Sequence, residues 1–518
     1  MQLQLYNTLT RTSQPLTPID AQNKIVTFYT CGPTVYDFAH IGNFRSFLNA
    51  DVLRRTLEAI GYTVKQVMNI TDVGHMTQDD VADGGGQDKM EVAAIRLAEA
   101  KKTGALPEDV EIDPTDTHSI ADYYAQAFME DAQTLGLRII EDAMDNPSLL
   151  PRPTKYIQQM IDMVQVLMDK EHAYVASDGV VYFDIQTFPQ YGELSGNTTD
   201  ALRSGEGGRV DMETQAVKRN PADFMLWKPD PSHLMRWESP WGEGYPGWHL
   251  ECSVMANALL GNVIDIHSGG EDNIFPHHEC EIAQSRCATG SKSFSNHWFH
   301  TRFLLVDGGK MSKSRGNFYT LRDLLKKGLS PAAIRLELIK THYRSNANFT
   351  FQGLKDAQRQ VDRWRRLADW LKEHSAVVVD GEGPLQIAAD LFIAAMCDDL
   401  NVAGALGVLN EAVGQYDTTP ESATPKSIET TEGTSTTLAE ELAALRSMDA
   451  ILGVLDLEEA ISTGDVDVPK VESLIQDRLT ARTNKEWSRA DEIRDELISM
   501  GIAIKDGPDG TSWSRLVQ

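Results

Sequence analysis

Lys24-Ile25-Val26-Thr27-Phe28-Tyr29-Thr30-Cys31-Gly32-Pro33, followed by His40-Ile41-Gly42-Asn43 and the amphipathic run from Phe44 to Ile60, decides the fold of this 518-residue chain. A β-branched and aromatic run that breaks at Cys-Gly-Pro and resumes with helical spacing reads as strand, turn and helix. Val67-Met68-Asn69-Ile70-Thr71-Asp72 then supplies a second strand. Strand, helix, strand is the opening of a doubly wound α/β sheet. A helix that starts just past a strand end is an anion site, because its first N–H groups are unpaired and its dipole favours negative charge. Gly42 lets an adenine ring or a phosphate approach closely. The tetrapeptide alone is equally compatible with a helix-capping turn that has Asn43 near the N-cap.

About 270 residues downstream, the apolar Phe303-Leu304-Leu305-Val306 leads into a glycine-flanked loop, Lys310-Met311-Ser312-Lys313-Ser314. Two ammonium groups three residues apart can follow charge as it moves from a triphosphate to a leaving pyrophosphate, and Gly308, Gly309 and Gly316 let the loop open and close. Two scattered lysines would be read as a solvated turn. The full pentapeptide, paired with His40-Ile41-Gly42-Asn43, resembles the two signatures of class I aminoacyl-tRNA synthetases. That resemblance implies a Rossmann-like parallel sheet and ATP-dependent activation of an amino acid. It puts His40, Asn43, Lys310 and Lys313 in the catalytic machinery, and His40, Gly42, Met311, Ser312 and Ser314 around ATP with the two lysines. The signature usually closes on a second histidine where this chain has Asn43, which leaves His40 as the better candidate for stabilising transition-state charge.

At 518 residues with 41% hydrophobic content, the chain has material for roughly three to five domains. No run of about 18 apolar residues occurs, and Met1-Gln2-Leu3-Gln4-Leu5-Tyr6-Asn7 lacks a basic region followed by an apolar one, so a cytoplasmic protein is expected, with no membrane partner. Five widely spaced cysteines argue against a disulfide framework. A net charge of −28 opposes nonspecific attraction to nucleic acid, so any RNA contact must come from local basic patches.

Composition divides the chain further. Residues 1–117 read as the first half of the sheet domain, with an inserted excursion over 73–117 that contains the helix-like Glu91 to Thr103. A connective insertion follows at 118–215, carrying helical runs at 120–137 and 154–170 and strands at Ala173-Tyr174-Val175 and 179–183. The parallel sheet is expected to resume near Asp223 within 216–305, with a strand at 262–267. Residues 306–350 hold the lysine loop, and 351–462 form a helical bundle with a Thr-, Ser-, Glu- and Pro-rich linker near 417–437. A small C-terminal module at 463–518 combines helical spacing (Val471, Leu474, Ile475, Leu479) with a strand-like Ile502-Ala503-Ile504.

Cys252 and His277 lie 25 residues apart, and His277 and Glu281 are one helical turn apart. With Cys31 beside the first turn they make a Cys-Cys-His-Glu set that could hold zinc; core cysteines and a helix-surface His and Glu are the alternative. Four stretches resemble cysteinyl-tRNA synthetases: Tyr29 to Asp37, Pro246-Gly247-Trp248-His249-Leu250-Glu251-Cys252-Ser253, Asp265-Ile266-His267, and Phe275-Pro276-His277-His278-Glu279-Cys280-Glu281-Ile282-Ala283-Gln284-Ser285. The likeness runs nearly end to end, through Lys218 to Phe224, His342-Tyr343-Arg344-Ser345 and Arg489 to Arg494. It implies one Zn²⁺ held by Cys31, Cys252, His277 and Glu281 and bound directly by the substrate thiolate, with Cys280 incidental. It also implies Thr71, Trp248 and His267 near the substrate, Mg²⁺ with ATP, and a monomer acting on L-cysteine and tRNA(Cys). On composition alone, Trp248 is a core aromatic and His267 a satisfied histidine at a strand end.

RNA contact is expected in the last third. Arg359, Arg363, Arg365 and Arg366 with Trp364 suit one basic helix face, or an ordinary solvated one, and Trp487 and Trp513 suit splayed bases. By resemblance, Arg482, Trp487, Asp491 and Asp506 read the anticodon. The chain departs from the family at Val73-Gly74-His75-Met76, where His75 reads as a loop histidine. Two rivals remain: the cysteine ligase of mycothiol synthesis, which resembles these motifs but lacks the anticodon module, and a noncatalytic paralogue, which would have lost the loop lysines.

Overall fold

The computed structural model describes residues 2–515 apart from 21, 23, 75, 79–84, 104–111, 198–216, 417–434, 458–467, 485, 500–501 and 508–509. Four parallel strands lie in the order Ser295–Thr301, Ile264–Gly270, Ile25–Thr30, Thr63–Met68. The chain enters at Ile25–Thr30, moves outward through the helix Ile41–Ala59 to Thr63–Met68, and later returns to the other side of its first strand. That reversal makes the carboxyl ends of Ile25–Thr30 and Ile264–Gly270 a switch point, the place where doubly wound sheets bind ligands. Val26, Phe28, Met68 and Phe299 join one core with Phe44 and Leu48 of the Ile41–Ala59 helix. Tyr29, Val67 and Trp298 join a second with Leu250, Val254 and Ile282 from the helices Trp248–Leu260 and Glu279–Thr289.

The excursion after Asp72 contains a short antiparallel pair, Met76–Gln78 with Gly85–Asp88, and the helix Lys89–Thr103, whose Met90, Ala93 and Leu97 enter the main core. His75 lies outside the described residues. The connective region holds the helices Thr117–Thr134, Arg138–Asp145 and Ile157–Asp169 and an antiparallel sheet.

One expectation is corrected here. The segment after Asp223 does not resume the parallel sheet: Phe224–Pro229 pairs antiparallel with Val181–Phe183 and Gly244–Pro246, and the parallel sheet returns only at Ile264. Phe224-Met225-Leu226-Trp227 is buried throughout, and an uninterrupted apolar run identifies a strand without saying which sheet it joins.

Helices at Pro331–Ile339, Phe351–Glu373, Pro384–Cys397, Val402–Gly414 and Leu438–Leu452 follow. The linker expected near 417–437 falls mostly outside the described residues, and its end, Ser435–Thr437, pairs with Val378–Asp380. The expected arginine face is also corrected. Trp364 is buried, with Nε1 donating to Asn410 Oδ1 at 3.1 Å, and Arg365 donates to the carbonyls of Val454, Leu455 and Leu457. Arg359, Arg363 and Arg366 stay exposed at helical spacing. At the C-terminus, helices Val468–Thr483 and Trp487–Ser499 share a small core of Val471, Leu474, Ile493, Leu497 and Ile502, and the strand-like tail is half of a hairpin, Ile502–Gly507 with Gly510–Arg515. Among the described residues no helix is long and apolar enough to cross a membrane.

Candidate active site and metal centre

The helix N-cap is His40, and Asn43 stands three residues inside it. His40 Nδ1 accepts from the Asn43 N–H at 3.1 Å, and Asn43 Oδ1 accepts from the His40 N–H at 3.1 Å. The carboxamide thus completes a reciprocal cap, a helix-capping turn with Asn43 near the N-cap as expected. Because Nδ1 is an acceptor, the proton of the neutral ring sits on Nε2 and is available as a donor. Burial lowers the His40 pKa to about 4, and the charge of Lys313 acts in the same direction, so the ring is neutral at pH 7. The expected run of unpaired helix N–H groups is not found either: Ile41 donates to Tyr319 O at 3.0 Å and Asn43 to its cap.

The Ile41–Tyr319 bond also ties the helix start to the segment that follows the lysine loop. A Cβ at Gly42 would lie 2.6 Å from Met311 Cε and 2.9 Å from the His40 ring, so a larger residue here would displace the tip of Met311 and crowd the ring. A cleft of about 520 Å³ is lined by His40, Gly42, Asn43, Lys310, Met311 and Lys313, and also by Cys31 and Trp248. Lys310 Nζ lies 5.7 Å above the Phe303 ring, and Lys313 Nζ 5.0 Å above Phe318. The Ser312 N–H donates to Asn317 Oδ1 at 2.9 Å, and Ser314 falls in the turn Lys313–Arg315. Gly308 and Gly316 bracket the loop with φ of 77° and 67°, conformations that favour glycine.

Cys31 follows directly on the strand Ile25–Thr30, Cys252 lies on the Trp248–Leu260 helix, His277 on the turn Ile274–His278, and Glu281 on Glu279–Thr289. The fold brings one donor atom from each within 4.8 Å of all the others, and all four residues are buried. Cys31 Sγ is 3.9 Å from Cys252 Sγ and 3.8 Å from Glu281 Oε1, which lies 3.2 Å from His277 Nε2. Burial pushes both thiols and the Glu281 carboxyl above their ordinary ranges. Three acids packed together in a dry site fit a cation, since buried charges persist only when paired or when they bind a metal. His277 Nδ1 meets His249 Nδ1 at 2.9 Å, a contact that orients the ring and leaves Nε2 facing Glu281.

A second quartet, Cys31, His267, His278 and Glu281, meets the same distance limit. His278 Nε2 is 3.3 Å from Cys31 Sγ, and His267 Nε2 is 2.9 Å from Glu281 Oε2. His278 and His249 stand within the stretches quoted from the sequence, but no role was expected of either. Cys280 points elsewhere, with Sγ 3.4 Å from Tyr191 Oη, in keeping with an incidental cysteine.

Trp248 reaches the cleft, its ring 4.2 Å from that of His277. Thr71 and His267 are not brought to the cleft wall. The Thr71 hydroxyl is buried between Asn69 Nδ2 (3.0 Å) and Glu251 Oε2 (3.1 Å), and His267 lies fully buried behind Glu281. At the C-terminal end, Trp487 is 59% exposed at a helix start, and Arg482 and Asp491 are exposed near it in sequence. Asp506 is on the strand Ile502–Gly507.

Residues 18–359 match the model for the tRNA synthetases class I (C) catalytic domain, 391–456 the DALR domain, and 468–513 the cysteinyl-tRNA ligase anticodon binding domain. The chain is 42% identical to the cysteine–tRNA ligase of Salinibacter ruber, over 99% of this chain and 98% of that one. It is 40% identical to the one of Chlamydia muridarum over the full length of both. Among solved structures it is similar to an Agrobacterium radiobacter LeuRS–tRNA–LeuAMS complex, with a TM-score of 0.53, 12% identity and 84% of each chain covered. It is also similar to Mycobacterium tuberculosis methionyl-tRNA synthetase bound by methionyl-adenylate, with a TM-score of 0.50, 14% identity, and 75% of this chain and 82% of that one covered. At such identities the structures speak for the fold alone, but the matched catalytic and anticodon-binding models and the full-length likeness show that the chain belongs to the cysteinyl-tRNA synthetases of class I.

Proposed function

We propose that the chain activates L-cysteine with MgATP and transfers it to the 3′-terminal ribose of tRNA(Cys). The observation that carries this reading is the buried Cys31–Cys252–His277–Glu281 quartet, whose Cys31 lines a cleft that both nucleotide signatures also line. Two thiols make that quartet the better zinc site than its imidazole-rich neighbour. A zinc ion held there would accept the substrate thiolate as a ligand and so favour cysteine over serine, which a pocket sorting by shape separates by only about 1–3 kcal/mol.

The cysteine carboxylate attacks the α-phosphate, the bond to the β-phosphate breaks, and pyrophosphate leaves with cysteinyl-adenylate formed. His40 Nε2–H donates to oxygen as negative charge builds, and Lys310 and Lys313 neutralise the departing pyrophosphate. Asn43 contributes by fixing the His40 tautomer. The terminal ribose hydroxyl of the tRNA, the 2′-OH by class, then attacks the acyl carbon and expels AMP. Arg482, Trp487, Asp491 and Asp506 read the anticodon, with exposed Trp487 available to stack on a base. A monomer in the cytoplasm suffices for each step.

Cysteine-dependent ATP–pyrophosphate exchange, followed by charging of purified tRNA with cysteine and with serine, tests this reading. Exchange without charging would sink transfer to tRNA and favour an amino-sugar acceptor, and no exchange at all would favour a noncatalytic protein.

A further inference from the structure

We propose that Asp37 parks Lys313 at the cleft until ATP arrives, and that Arg96 holds Asp37 so that the lysine can be released to the phosphates. Both would be positioning residues, and the inference rests on Lys313 acting on the ATP phosphates.

Asp37 lines the cleft just before His40. Its Oδ1 accepts from the Phe38 N–H at 2.9 Å, which orients the carboxylate and leaves Oδ2 for side chains. Onto that single oxygen converge Lys313 Nζ at 2.6 Å and Arg96 Nη1 at 2.7 Å. The two cations come from parts of the chain with different freedom. Lys313 belongs to the glycine-bracketed loop, whereas Arg96 projects from Lys89–Thr103, a helix anchored through Met90, Ala93 and Leu97.

The exposure of the two pairs decides how they can work. Lys313 is 55% exposed, Arg96 46% and Asp37 25%. Pairs this open to water are weak and exchangeable, unlike a buried pair whose rupture strands a charge in a dry site. A triphosphate carries several negative charges and draws Lys313 away from one carboxylate. Without Arg96, that exchange would leave Asp37 as a bare anion beside an incoming polyanion. With Arg96 in place the carboxylate stays neutralised, and the lysine moves at little electrostatic cost. The 73–117 insertion thereby gains a task at the cleft, as the source of a counter-charge carried on an anchored helix.

The test is pyrophosphate exchange by the full-length enzyme, reading kcat and the KM values for ATP and cysteine separately. Arg96→Met is expected to raise the ATP KM about fivefold, a coupling of ordinary size for neighbouring charges, with kcat and the cysteine KM little changed. Arg96→Lys should restore most of the loss. Asp37→Asn should bring the ATP KM of the Arg96→Met protein back toward the parent value, because no stranded carboxylate remains. An unchanged ATP KM in Arg96→Met overturns the proposal, and so does the same rise with and without Asp37. A cysteine KM that shifts in parallel would mark mere structural damage and would also overturn it. Lys313→Ala separates this from the reading beneath it: undiminished exchange would sink the role of Lys313 itself, whereas lost exchange without Arg96–Asp37 coupling would sink only the parking device.

Discussion

At the lysine-loop end of the cleft the cations are open to water and carried on a glycine-bracketed loop; Lys313 is 55% exposed. At the metal end, Cys31, Cys252, His277 and Glu281 are buried, come from four separate elements, and are oriented by a further shell that includes His249. On the proposed reading the contrast follows the chemistry: charge on ATP moves during the reaction and would be met by groups that can follow it, whereas selection of a thiol needs donors that do not move. Exposed ion pairs exchange cheaply, and buried acids without a cation are costly, so damage at the two ends should differ in kind.

The largest effect is expected from Cys252→Ser. Metal content, measured after gel filtration against a chelator, should fall from about one ion per chain to near zero. Cysteine-dependent exchange should fall by more than the roughly 10–100-fold typical of a lost outer contact to a metal site. Zinc retained at full stoichiometry would break the comparison, because it would show that these four residues are not the ligands.

His40→Ala should cost about 10²–10³ in exchange kcat while leaving metal content intact, the size expected for one lost donor to developing charge. Trp487→Ala serves as a control on both ends: tRNA charging should weaken by about 1–3 kcal/mol, read as kcat/KM for tRNA, with exchange unaltered. Gly42→Ala should lower exchange about tenfold, because the added methyl meets Met311 and His40 and keeps the loop from seating, an overpacking cost of about 1–3 kcal/mol.

The smallest effect is on pH-dependent stability. His40 titrates near pH 4 when folded and near 6.5 when unfolded, so between those values the unfolded chain binds more protons. The stability held by the neutral ring is complete above about pH 6.5 and is lost as pH falls toward 4. Denaturant midpoints at pH 7 and pH 5 should therefore converge more closely in His40→Asn, which keeps an N-cap residue, than in the parent. Equal losses in both proteins would show that the ring is not held neutral by burial.

How much could be read in advance depended on how local the information was. The 24–60 segment announced its strand, turn and helix, because periodicity and a Cys-Gly-Pro break act within a few residues. Its capping turn was legible too, but not which residue caps: a histidine accepting through Nδ1 does the work usually given to Ser, Thr, Asp or Asn. Phe224–Trp227 was recognisable as a strand but not as a member of the antiparallel sheet, since a run buried on both faces carries no sign of its partner. Trp364 and Arg365 looked like an RNA-facing pair and instead pack against Asn410 and the carbonyls near Leu455, because a helix shows its outer face only once its neighbours are placed.

By itself, the sequence determined the nucleotide signatures, the parallel-sheet opening, the helical C-terminal third and, through resemblance, which four residues to suspect as ligands. Those are matters of residue type and spacing along the chain. The tertiary structure alone decided that Cys31 and Cys252, 221 residues apart, come within 3.9 Å of each other, that His249 backs His277, and that Arg96 and Lys313 share one oxygen of Asp37. Such contacts arise from the winding of the sheet and the docking of an insertion onto it, and chain separation carries almost no information about either.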